Sequence, residues 1–176
     1  RALDPLCPSG TIASATYKDG TTKVLYSSDD SMINLPMVVI TNQNTASAGE
    51  LFAVVLRDYN NAKLVGSKTA GKGTLQQLYR LTDGSGIELT VATLIPPKSA
   101  VFNQVGLAPD YETSLSAEQE QNFYDLSFSA DPQIQRALEV ANALAKNAEV
   151  TESKNAATST PDSAAETPAD SQTDEG

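Results

Sequence analysis

The sequence predicts an α/β domain with a mixed sheet and flanking helices. Three observations carry that prediction. Residues 37–41, behind Pro36, form a continuous Met-Val-Val-Ile-Thr run of the kind found in a strand buried on both faces. Directly after it the period changes: Ala48, Leu51, Phe52, Val55, Leu56 and Tyr59 recur at three and four residues, the spacing of an amphipathic helix. Elsewhere, Asp19-Gly20 and Asp83-Gly84 each separate two strand-like segments and predict hairpins.

In chain order, residues 12–17 and 23–26 read as the first hairpin, and residues 27–34 as a polar loop. The 37–41 strand and the helix over 48–59 follow, with Asn60-Asn61 ending the helix. Residues 63–65 are a short strand stopped by Gly66, and 74–81 and 87–95 form the second hairpin, closed by Pro96-Pro97. Residues 106–110 read as a loop. Ser116 to Gln119 starts a short helix, and Asp131-Pro132 supplies an N-cap with proline at the first helical position of a closing helix to residue 146. The domain is therefore expected over residues 1–146. Residues 147–176, rich in Ala, Ser, Thr, Pro and acids without a period, predict a disordered acidic tail.

Composition narrows the chemistry. Net charge is −10, which argues against a nucleic-acid partner, since phosphates call for a basic surface. Much of the excess lies in 147–176, where seven acids meet the single Lys154. Cys7 is the only cysteine and reads as a buried structural thiol; an internal disulfide is impossible and a thiolate zinc site is not expected. No apolar run is long enough to span a bilayer. The chain begins at Arg1 with no Met and no apolar leader, and reads as a fragment or a processed product. There is no histidine. A Ser-His-Asp triad and an HExxH metal site cannot be built from it. Acid–base chemistry near neutral pH must fall to Lys, Asp, Glu or Tyr, and no metal or cofactor is expected.

Ser47 lies between the buried strand and the amphipathic helix, where free N–H groups and the positive end of the helix dipole favour a developing oxyanion. Ala46, Ala48 and Gly49 leave room for a substrate backbone. The other reading is structural: Ser47-x-x-Glu50 matches a capping box, in which the serine only caps the helix.

Lys72 sits between Gly71 and Gly73. A lysine pressed into a protected pocket can become neutral and accept a serine's proton; a lysine in a solvated turn cannot. The same residues, Gly66 to Lys72, fit the G-x-x-x-x-G-K phosphate loop. Gly73 stands where that loop needs Ser or Thr, and 74–81 reads as a strand where it needs a helix.

Four segments in order carry a family resemblance: Pro36-Met-Val-Val-Ile-Thr-Asn-Gln-Asn-Thr-Ala-Ser-Ala-Gly-Glu50, Ala62-Lys-Leu-Val-Gly66, Thr69-Ala-Gly-Lys-Gly-Thr-Leu-Gln76 and Gly106-Leu-Ala-Pro-Asp110. Together they resemble the C-terminal processing (tail-specific) serine peptidases over roughly residues 8–145. The resemblance implies a crotonase/Clp-like α/β fold, incomplete here because its N-terminal part is absent. It places the nucleophile on Ser47, the general base on Lys72, a lysine-orienting glutamine on Gln76 and one oxyanion-hole N–H on Ala48. Thr69, Gly73 and Asp110 match the family as structural positions. Gly49 departs from it, standing where the family often has Ser. On a straight strand Lys72 and Gln76 would begin about 13 Å apart; a bend at Gly73 must unite them, and Gln77 is the competing candidate.

The resemblance implies a serine endopeptidase that cleaves protein substrates at or near their C-termini through an acyl-enzyme. It implies an extracytoplasmic place, at the cell envelope or secreted, and it allows a homodimer. The family's Arg-x-Asn-x-Gly-Gly segment, source of the second oxyanion donor, and its substrate-gripping PDZ domain have no counterpart in these residues. Both are expected upstream, and the chain alone is expected to be nearly inactive. The alternatives are a nucleotide-binding protein using Gly66 to Lys72, or a non-catalytic interaction domain of the same fold.

Overall fold

The structure is a computed structural model and describes residues 2–33, 35–60 and 62–146. The tail expected over 147–176 lies outside the described residues. Among the described residues, seven strands and three α-helices follow one another: β1 (Gly10–Tyr17), β2 (Thr22–Ser28), β3 (Val38–Thr41), α1 (Ala48–Asn60), β4 (Lys63–Gly66), β5 (Thr74–Arg80), β6 (Gly86–Ile95), β7 (Tyr111–Glu112), α2 (Ala117–Gln121) and α3 (Pro132–Ala145). The mixed pairing is divided between two sheets. An antiparallel sheet runs β2-β1-β6-β5, and a parallel sheet runs β3-β4-β7.

Both Asp-Gly pairs turn hairpins as expected. Asp19 accepts from the backbone and hydroxyl of Thr21, and Asp83 does the same for Ser85. Such Asx contacts let each short acid replace a missing backbone partner at the turn. Asp131 caps α3 through bonds from Gln133 and Ile134, and Ser116 and Gln119 complete a capping box on α2.

Two expectations change. The 37–41 run does not make a strand buried on both faces, because β3 is the edge of its sheet; Ile40 is 42% exposed. The stripe expected on α1 is wider and rotated. Ala53, Val54, Val55 and Leu56 are buried in succession while Ala48 is exposed. Four consecutive buried residues cover more than one helix face, so α1 is packed from several sides. Ile12, Ala13, Leu64, Leu94, Phe102 and Leu107 share its core cluster, as does the buried Cys7. A smaller cluster of Val65, Tyr111, Ala137 and Val140 seats α3. Each fully buried Val or Leu contributes about 1.5–3 kcal/mol, so α1 is held chiefly by packing.

Candidate active site

The strand-to-helix turn after β3 gives Ser47 an uncommon backbone. Its φ is +53°, in the left-handed region that non-glycine residues seldom adopt. An ordinary helix N-cap has extended φ and ψ and uses its side chain to accept an N–H from the first turn. No hydrogen bond among the described residues uses the Ser47 hydroxyl. The capping box is therefore only half made: Glu50 accepts the Ser47 N–H at 3.0 Å, but the serine side chain does not reciprocate. The hydroxyl is left free. The Ala48 N–H also has no partner among the described residues, although its neighbour Gly49 donates to Ala46 and Leu51 donates to Ser47.

Glu50 is fully buried and accepts four hydrogen bonds. Its Oε1 takes the Thr69 hydroxyl at 2.5 Å and the Gly71 N–H at 2.7 Å. Its Oε2 takes the Ser47 N–H at 3.0 Å and the Lys72 N–H at 2.8 Å. Four donors suit a carboxylate, which only accepts. The consequence is spatial. The backbone nitrogens of Ser47 and Lys72 lie no further apart than those two bonds laid end to end.

A third segment closes on the same loop. Leu107 donates to the Thr69 hydroxyl, Gln104 donates to the Gly71 carbonyl, and the Asn103 side chain accepts the Gly73 N–H at 3.1 Å. The approach is so close that only glycine fits. A Cβ on Gly71, whose φ is +80°, would lie 2.9 Å from the Gly106 nitrogen; one on Gly73 would lie 2.9 Å from the Asn103 nitrogen. Asp110 anchors the end of this segment, accepting the Leu64 N–H at 2.7 Å, which gives it the expected structural part. Thr69, buried, is structural in the same sense.

Lys72 and Gln76 are placed less as expected. Lys72 is exposed, so the shielding pocket is not formed by the described residues. Gln76 is exposed in β5, just past a register shift between Leu75 and Gln76, and its side chain makes no hydrogen bond among the described residues. Gln77 is engaged elsewhere, accepting from the Tyr79 hydroxyl at 3.3 Å. The structure thus brings the Ser47 and Lys72 backbones to one carboxylate, with Ala48 next to Ser47 in the chain, and leaves Gln76 outside that set.

The phosphate-loop alternative is overturned by the same geometry. The segment after Lys72 is strand β5 and not a helix. The amides that would cradle a phosphate are already occupied. Ser67, Thr69 and Ala70 donate to backbone carbonyls, and Gly71 and Lys72 donate to Glu50. A buried carboxylate at the centre of the loop repels the anion the motif would need to bind.

Comparison with known proteins agrees with the motif order. The profile of "Peptidase family S41" matches residues 1–113. The chain belongs to peptidase family S41. A carboxyl-terminal-processing protease of Synechocystis sp. is 36% identical over 133 residues, covering 76% of this chain and 30% of that protein. The carboxy-terminal processing protease CtpA of Bacillus subtilis is 34% identical over 59% of this chain and 22% of its own length. Among solved structures, a photosystem II D1 C-terminal processing protease superposes with a TM-score of 0.57 at 33% identity, over 64% of this chain and 30% of that one. The chain therefore spans about a third or less of the length of these three relatives.

Glu50 is the residue whose importance the sequence reading did not reach. The capping-box spacing marks it as a partner of Ser47, but nothing local shows that Gly71 and Lys72 fold onto the same side chain. Beside this centre, a cleft of about 530 Å³ opens beyond the carboxyl ends of the parallel strands, bounded by residues 42–44, Ser67, Ser114, Glu120, Phe123, Tyr124 and Gln133.

Proposed function

We propose that this chain carries the serine and lysine of an S41 endopeptidase that cleaves protein substrates at or near their C-termini. Ser47 is the nucleophile and Lys72, in its neutral amine form, takes the hydroxyl proton as Ser47 attacks the scissile carbonyl. The Ala48 N–H donates to the oxyanion. The lysine then gives its proton to the leaving amine, and water releases the acyl group from Ser47 by the same route in reverse. Gln76 orients the lysine amine once the β5 end of the loop closes on it.

The observation that carries this reading is the convergence of the Ser47 and Lys72 amides on Glu50 Oε2, beside a serine hydroxyl and an Ala48 N–H that no other group among the described residues uses. The reading includes a second oxyanion donor and a PDZ domain supplied by residues outside this chain, and a homodimer as the working assembly. It places the protein outside the cytoplasm, in keeping with relatives named as chloroplastic processing peptidases.

The deciding experiment is labelling of the full-length protein with a fluorophosphonate, read by peptide mapping, beside hydrolysis of an unfolded protein substrate. Modification at Ser47, lost together with hydrolysis in Ser47→Ala and Lys72→Ala, is expected. Hydrolysis at the wild-type rate by Lys72→Ala would sink the assignment. A folded wild-type protein that neither labels nor cleaves would leave a non-catalytic interaction domain.

A further inference from the structure

The cleft beside the Ser47 turn has features that the hydrolytic centre does not use. It lies beyond the carboxyl ends of β3, β4 and β7, the place where open parallel sheets collect their ligands. Its volume, about 530 Å³, is in the range of a ligand site. Two of its walls continue directly into the hydrolytic centre. Residues 42–44 lead into Ser47, and Ser67 leads into the loop that carries Lys72. Asn44 and Ser47 are three positions apart in the chain, which limits the distance between their Cα atoms to roughly 10 Å. An extended substrate covers the same distance in about three residues.

The lining chemistry is specific. Gln43 is held from both sides, donating to Glu120 at 2.9 Å and accepting from Ser67 at 3.1 Å. Gln133 is only 4% exposed; its side-chain nitrogen donates to Thr113 at 2.8 Å, and its amide oxygen has no partner among the described residues. Among the described residues no fully buried side-chain polar atom lacks a partner, so this oxygen is reached by solvent and can accept a ligand N–H. Phe123 and Tyr124 stand edge to face with centroids 5.6 Å apart, and Tyr124 is 98% exposed. An aromatic ring so fully presented to water gains by being covered. Among the described residues, Glu120 is the one charged side chain in the lining, and no lysine or arginine lines it to meet an anion.

We propose that this cleft is a substrate subsite. It holds the polypeptide about three residues from the scissile bond, covers Tyr124, offers the Gln133 oxygen to a substrate N–H, and favours neutral or basic side chains over acidic ones. The proposal rests on the peptidase reading above, since it measures the subsite from Ser47. The discrimination comes from Glu120: an acidic side chain entering the cleft meets a like charge with no compensating cation.

The test uses the full-length protein and peptides that differ only at the third residue on either side of the cleaved bond, carrying Lys, Gln or Glu. Binding is measured by fluorescence anisotropy with the Ser47→Ala variant, and kinetics with the parent enzyme. An acidic residue on one of the two sides is expected to weaken binding up to about fivefold, the scale of one exposed charge. Glu120→Gln, which keeps an acceptor for Gln43, is expected to bring the three peptides within about twofold of one another. Tyr124→Ala is expected to raise KM about tenfold and leave kcat within about twofold, as loss of an aromatic anchor does. Charge discrimination that survives Glu120→Gln, or a Tyr124→Ala enzyme with unchanged KM and Kd, overturns the subsite. So does indifference to all of these changes, which would mean that another segment covers the cleft. Hydrolysis by Ser47→Ala would instead remove the peptidase reading, and the binding measurements would still decide the cleft.

Discussion

Ser47 and Lys72 donate their backbone N–H groups to the same oxygen of Glu50, at 3.0 and 2.8 Å. A serine on one loop and a lysine on another are thereby held by a single buried atom. A buried carboxylate with every acceptor position used holds the two loops in one register, because the Thr69 and Gly71 donors, if released, would be left buried without a partner.

Replacing Glu50 by glutamine tests that clamp. The amide nitrogen must take the place of one oxygen, and in either orientation at least one backbone N–H then faces another donor. Gly71 loses its partner one way; Ser47 and Lys72 lose theirs the other. Glu50→Gln should unfold about 2 kcal/mol more easily in denaturant titrations, the cost of a buried donor left unsatisfied. Its kcat should fall roughly ten- to a hundredfold with little change in KM, since displacements on the order of 1 Å misalign reacting groups. A folded Glu50→Gln enzyme with full kcat would show that the clamp is dispensable.

The left-handed backbone at Ser47 predicts an opposition between stability and activity. A side chain in that region costs about 1–2 kcal/mol, and glycine escapes the cost at some expense in the unfolded chain. Ser47→Gly and Ser47→Ala should both be inactive, yet the glycine form should be more stable than the alanine form by about 1 kcal/mol. The comparison is made by thermal or denaturant unfolding of the two inactive proteins. Equal stabilities would mean that Ser47 is not strained.

The local elements were legible because each has a local cause. Asp-Gly turns announce the hairpins, the change from a continuous run to three-and-four spacing announces β3 and α1, and Asp131-Pro132 announces α3. Features set by neighbours were not legible. The run over 37–41 says nothing of where its strand lies in the sheet, so the edge position of β3, with Ile40 exposed, could not be read from it. β7 has two residues, too few to show a period. At the site, Ser47 and Lys72 stood out by motif order and by the glycines around the lysine. Gly71 and Gly73 signalled a close approach, but not that residues 103–106 would make it. Glu50 carried a cap-like spacing that explains one of its four hydrogen bonds; the other three come from residues 69–72.

Asp110 separates structure from chemistry. Its carboxylate accepts the N–H of the fully buried Leu64, and its own N–H donates to the Leu64 carbonyl at 2.8 Å. Asp110→Ala leaves the Leu64 N–H buried without that acceptor and should cost about 2 kcal/mol in unfolding experiments. The folded fraction should keep its kcat, because Asp110 faces β4 and not the Ser47 turn. A large loss of kcat with unchanged stability would give Asp110 a chemical part.

The alkaline side of the stability profile belongs to Cys7 and Tyr59. Burial raises the Cys7 thiol above its usual value, and the Asp4 charge adds to it. Burial also raises the Tyr59 phenol, with the Cys7 and Asp58 charges contributing in that order. Both groups are neutral when protonated, and both hold the proton more tightly in the folded state. Their stabilisation is therefore complete below the unfolded values, about 9 and 10, and is lost as pH rises through the higher folded values. Tyr59 donates to the Thr11 carbonyl at 2.6 Å, and Lys98 lies over its ring, 4.9 Å from the centroid. Tyr59→Phe should therefore lower stability at neutral pH by about 1 kcal/mol through the lost hydrogen bond. The informative quantity is the slope of unfolding free energy between pH 8 and about 11. It should be negative in the parent and nearly flat when Cys7→Ala and Tyr59→Phe are combined. In the folded parent at pH 8, Cys7 should also resist alkylation until denaturant is added, as a buried protonated thiol does. A double variant with the parent's slope, or rapid alkylation of the native protein, would show that Cys7 and Tyr59 are not held neutral by the fold.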